Sequence, residues 1–91
     1  MSTLTPGRIV QYRLSESDCD SINRRRGATP HLTFHGNLPR AGQVVPCIVV
    51  WPSSETCFNG QAFLDGNDTH WVTSVLQGTG PGTWSWPVRS E

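Results

Sequence analysis

The sequence predicts a mainly β domain in which five short strands close into a small barrel, with one short helix between strands 1 and 2. Three observations carry this. "GRIVQYRL" alternates apolar and polar side chains, the period-two signature of a half-buried strand. "SESDCDSINRRRG" carries helix signals at both ends. "NGQAFLDGNDTHWVTSVLQG" sets a turn-forming tetrapeptide between two strand-like runs, which is a hairpin pattern.

In the first strand Val10, Tyr12 and Leu14 share one face and Gln11 and Arg13 the other. The helix follows at once. Ser15 is placed to cap it, with Asp18 at the third helical position as an acidic capping box, and Leu14 and Cys19 are spaced as a hydrophobic staple. Glu16, Asp18 and Asp20 load its start with negative charge, Arg24, Arg25 and Arg26 load its end with positive charge, and both complement the helix dipole. Gly27 is expected to stop it. Cys19 and Ile22 form a narrow apolar stripe, so the helix lies on the surface.

Residues 28–42 contain two prolines and two glycines and read as a long irregular loop pinned by Leu32 and Phe34. Loops of this length are often functional. "QVVPCIVVW" is short, valine-rich and continuously apolar, so it reads as a strand covered on both faces, ending in a core Trp51. Pro46 within it implies an edge register or a bulge. "PSSET" is a turn, "DGND" turns the hairpin, "GTGPG" is a second turn, and "TWSWPV" is the last strand. First strand, long excursion, meander and closing strand is the order of an SH3-like barrel. A split five-stranded sheet or an OB-like barrel is the alternative, and closure is favoured because it hides sheet edges.

The 91 residues form one domain, 1–91. A chain of this length buries only about 60–68% of its unfolded surface. Apolar residues are 35% of it, against a usual ~45–50% that also counts Gly. The core must therefore be thin, four tryptophans must supply much of it, and a homo-oligomer would bury more. Zero formal charge argues against non-specific attraction to nucleic acid or membrane. No run approaches the roughly 20 apolar residues of a membrane helix. Three irregularly spaced cysteines fit reduced thiols in a cytosol.

Every basic residue is arginine: Arg8, Arg13, Arg24, Arg25, Arg26, Arg40 and Arg89. Codon bias in a GC-rich genome is the bland cause and the favoured one; the functional cause would be bidentate phosphate or carboxylate recognition. Trp84 and Trp86 are one residue apart, so on a strand their indoles face the same way. They are either core or interface, or a stacking platform, and Trp71 beside His70 is a further ring for such a platform. "DGND" lacks the later acidic residue of a calcium loop. His31 and His35 lie on a loop, the cysteines lack short zinc spacing, and no catalytic motif is present. No cofactor or metal is expected, and the chain reads as a non-enzyme.

The blocks "TPGRIVQYRLS", "INRRR", "NGQAFLDGNDTHWVTSV" and "GPGTWSWP" resemble a widespread group of small proteins encoded by tailed phages and prophages. The middle departs, with a compact "GATPHLTFHGNLPRAG" where members carry a longer polar insertion. The resemblance implies phage or prophage origin and a host-cytoplasmic setting, without an activity. Small phage proteins of this kind are often anti-defence factors. The leading expectation is thus a protein that sequesters a small anionic ligand, a cyclic or ADP-ribose-type nucleotide. Trp71, Trp84 or Trp86 would stack on the base, Arg24, Arg25 and Arg26 with Arg8 or Arg40 would clamp phosphate, and Asn67 and Asp68 would read polar edges. The alternatives are an SH3-like module that blocks a host protein, or a minor virion component.

Overall fold

The computed structural model describes residues 3–29 and 31–87. Five strands, β1 (Ile9–Arg13), β2 (Val44–Pro52), β3 (Cys57–Phe63), β4 (Thr69–Gln77) and β5 (Thr83–Ser85), form a closed barrel in sequential order, and the helix α1 (Glu16–Ala28) lies between β1 and β2. The pairs β1–β2, β2–β3, β3–β4 and β1–β5 are antiparallel. Strand β5 closes the ring by running parallel to the end of β4, at Leu76 and Gln77. The mainly β, five-stranded barrel with one short helix is as the sequence predicts.

Alternation fixes what goes inside. Val10, Tyr12 and Leu14 of the first segment, Val45, Cys47 and Val49 of β2, Phe58 and Ala62 of β3, Val72 and Val75 of β4 and Trp84 of β5 are all buried. Cys19 and Ile22 of α1 join the same core, so the narrow stripe is the helix's packing face. The N-cap is as the sequence dictates: Asp18 N donates to Ser15 Oγ at 3.0 Å, and Ser15 N donates to Asp18 Oδ2 at 2.9 Å. Trp84 is the largest fully buried side chain. Phe58 meets it edge-on at 5.9 Å between ring centroids, Trp86 meets it at 5.1 Å, and its Nε1 donates to Thr56 O at 2.9 Å.

Several local expectations are corrected. The helix runs through Gly27 to Ala28 and is capped by Thr29, whose N–H bonds back to Arg26 O; without a left-handed turn at Gly27 there is nothing to stop it there. Leu32 is exposed and pins nothing, whereas Phe34 is partly covered, with the Arg26 guanidinium 5.2 Å over its ring. Strand β2 is covered on one face only, with Val44 and Val50 outside. At Pro46 it pairs with β1 alone, since its register with β3 begins at Cys47, so Pro46 has the edge-type setting predicted. The bulge comes later, between Val49 and Trp51, and turns Trp51 outward to 65% exposure instead of into the core. The last strand is only three residues long, with Trp86 and Pro87 beyond it. Val88 and Arg89 lie outside the described residues.

Candidate functional site

Strand β4 divides the molecule. Asp68, just before it, and His70 point towards α1, and Trp71 points the opposite way, as alternation requires. The two sides differ in chemistry.

On the helix side three of the predicted ligand-binding residues, Arg25, Arg26 and Asp68, are engaged with one another. Arg25 donates from Nη1 and Nη2 to the two Asp68 carboxylate oxygens at 2.9 and 3.0 Å, and Arg26 Nε donates to Oδ2 at 2.9 Å. Arg25 also reaches Thr69 O at 3.0 Å. The Asp68 side chain is 8% exposed. Burial pushes its carboxyl up, but the bonds from Arg25 and Arg26 outweigh burial and hold it below the usual range. The rest of the tetrapeptide turn is equally occupied. Asn67 Oδ1 accepts from His35 N at 2.8 Å and its Nδ2 donates to Thr33 O at 2.9 Å, while Asp65 Oδ2 accepts from Asn37 N and Nδ2 at 2.9 and 2.8 Å. Gly36 and Gly66 pack backbone to backbone so closely that a Cβ on either would collide with the other segment. "DGND" is thus a clasp: Asp65 and Asn67 hold the long loop and Asp68 holds the helix end.

A second anchor lies at the other end of the helix. Asp18 accepts from Tyr12 Oη and Ser15 N on Oδ2, and its Oδ1 is 3.0 Å from His70 Nε2. An ionised carboxylate only accepts, so that histidine nitrogen carries the proton. Burial raises the Asp18 carboxyl, yet the hydrogen bonds from His70, Tyr12 and Ser15 win and lower it well below the ordinary carboxylate range. The same burial and the Asp18 bond push the Tyr12 phenol upward. Burial also pushes the Cys47 thiol up to about 12, and all three cysteines are unpaired.

The predicted residues therefore do not converge on one hollow. Trp84 is a core side chain with 1% exposure and offers no face for stacking. Asn67 and Asp68 have their polar atoms committed to the clasp. Arg24 is exposed and apart from the Asp68 pair. Arg8 lies 4.9 Å over the partly buried Trp86 ring. A hollow of about 560 Å³ is lined by Asn37, Leu38, Arg40 and Gln43, with one cation and no aromatic ring. Among the described residues, no three His, Cys, Asp or Glu side chains gather as a metal site would need, and no helix is long and apolar enough to cross a membrane.

The opposite side of the sheet is apolar and open. The register Ile9↔Ile48, Ile48↔Gln61 and Gln61↔Trp71 sets one outward row across four strands. Phe63 and Pro46 flank that row on one side, and Trp51 and Val50 on the other. Ile9, Trp51, Phe63 and Trp71 are 56%, 65%, 40% and 47% exposed. His70, which faces the helix, is the only ionisable residue besides cysteine in β2, β3 and β4. The sequence singled out Trp71 only as a stacking ring and placed Trp51 in the core, so the outward face the two share was not expected from it. The available signal was the apolar character of β2 at both parities: a closed five-stranded barrel can seal only one of them. Comparison with protein-family models, with curated proteins and with solved structures finds no match.

Proposed function

We propose that this chain is a non-catalytic protein-interaction module that holds a protein partner against the outward face of β2–β4. One observation carries this reading: the outward row Ile9–Ile48–Gln61–Trp71, with Trp51 and Phe63 beside it, is uncharged, and Ile9, Trp51, Phe63 and Trp71 are exposed. Contiguous exposed apolar patches beyond a few hundred Å² mark interaction surfaces on soluble domains, and Trp is enriched among residues that dominate binding energy. The resemblance to phage proteins supplies a setting, an accessory protein acting in a host cytoplasm.

Sequestration of a nucleotide has less support. Two of its intended phosphate cations are bound to Asp68, and Trp71 stands on the other face of β4 from them. Arg8 over Trp86 is the arrangement that still favours it, since a guanidinium and an indole together suit an anionic aromatic ligand.

The test is a photo-crosslinking amino acid placed at Trp71, or at Arg24 as the control, in producing cells. A protein adduct at 71 and none at 24 is expected. Adducts at 24 alone, or a nucleotide released when the purified protein is denatured, would overturn the module reading.

A further inference from the structure

Resting on that reading, we infer that the partner of this face is a second copy of the same chain, packed across a two-fold axis through the Ile48–Gln61–Trp71 row. The first ground is area. Ile9, Val44, Val50, Trp51, Phe63 and Trp71 are each at least 40% exposed and together present on the order of 600 Å² of apolar surface, near the ~800 Å² that each partner gives to a standard interface. A shallow groove of about 280 Å³, lined in part by Ile9, Gln11, Val44, Pro46 and Pro87, continues the same surface towards β1.

The second ground is charge. A two-fold interface brings a patch against itself, so any charged residue near its centre meets its own like. Here the outward positions of β2, β3 and β4 carry Val44, Pro46, Ile48, Asn59, Gln61, Phe63, Thr69, Trp71 and Thr73, with no charge among them. The chain as a whole is neutral, which removes long-range repulsion between copies. Charge enters the outward register only at the β1 edge, where Arg13 pairs with Val44, so the centre of the patch is compatible with itself.

The third ground is the core. Among the described residues it is built from 15 buried hydrophobic side chains, while the outer face holds two of the four tryptophans. A chain with few apolar residues that leaves two of its four tryptophans outside gains by covering them.

Gln61 makes the proposal precise. It lies between Ile48 and Trp71 in the row, so Gln61→Glu puts like charges close to the two-fold axis without altering the core.

The experiment is sedimentation equilibrium of the full chain over a wide concentration range. The wild-type chain is expected at twice its 10.0 kDa mass, with a melting temperature that rises with concentration, as coupled association requires. Trp71→Arg and Gln61→Glu should each weaken the dimer at least about 30-fold, the scale of a central interface residue. Circular dichroism at high concentration verifies that each variant is folded. Leu38→Arg, at an exposed position off the face, should leave the dimer intact. A chain of single mass at every concentration, or a dimer untouched by both face variants, would overturn the inference. If a single-mass chain still crosslinks through position 71 to another protein, the dimer fails and the module reading stands. If neither association nor a crosslink occurs, both fail.

Discussion

The helix-facing side of β4 and its outer side are built from the same strand, yet they use side chains in opposite ways. Towards the helix, charge is concentrated and mostly paired: Asp68 takes three bonds from Arg25 and Arg26, and Asp18 takes bonds from Tyr12, Ser15 and His70, while among the described residues Arg26 Nη2 is buried without a hydrogen-bond partner. Away from it, charge is absent and apolar surface is left open. Buried or half-buried charge needs pairing to be tolerated, so the bonds from Arg25 and Arg26 Nε to Asp68 are explained by holding the helix and clasp to the barrel. The unmet interaction potential lies on the side with no charge. A conspicuous cluster of cations is therefore a poor guide to the site when an acidic turn sits opposite it.

Breaking the core should have the largest effect. Trp84→Ala removes a fully buried indole and leaves Thr56 O without its donor, which should cost about 3–5 kcal/mol, enough to unfold much of the protein in a thermal or urea melt. The clasp comes next. Asp68→Asn leaves Arg25 and Arg26 facing a neutral amide; because the Arg25 side chain is 41% exposed and screened by solvent, the loss should be about 2 kcal/mol. Arg24→Ala, outside the pair, should change stability by less than ~0.5 kcal/mol. Equal losses for the two would mean that the ion pair does not hold the helix end.

Acidification sharpens the same contrast. Asp18 and Asp68 are both held below their ordinary values in the folded state. Their contribution is thus complete above the unfolded carboxylate range, near pH 4, and is lost as pH falls through that range towards the folded values. Melting temperature should fall between about pH 5 and pH 2, and Asp18→Asn should flatten the fall while lowering stability at neutral pH. A variant that keeps the full acid dependence would contradict the assignment. The smallest effect on the fold belongs to the outer face. Trp71→Ser should change the melting temperature little at low concentration, where no partner is bound, while abolishing association.

Much of this fold was legible in the chain. The alternation of Val10, Tyr12 and Leu14 and the Ser15–Asp18 cap are local, so sequence spacing determines them. The DGND hairpin is local too. Its further use was not legible, because Asn67 and Asp65 bind a loop about 30 residues away and Asp68 binds a helix end over 40 residues away. Strand β2 misled for a different reason. "VVPCIVVW" is apolar at both parities, and only closure of the barrel decides that Val45, Cys47 and Val49 go in while Val44, Pro46 and Ile48 stay out. One bulged residue then reverses Trp51. A site made from the outward half of a buried-looking strand has no period of its own in the sequence.

Whether contact is made by the outer face or by the helix-end arginines can be read in one nitrogen–proton NMR titration that follows the indole and arginine Nε signals as protein concentration is raised. The Trp51 and Trp71 indole signals should shift or broaden while those of Trp84 and Arg26 Nε stay fixed. Movement of the Arg25 and Arg26 signals with the two outer indoles unchanged would contradict contact through the outer face.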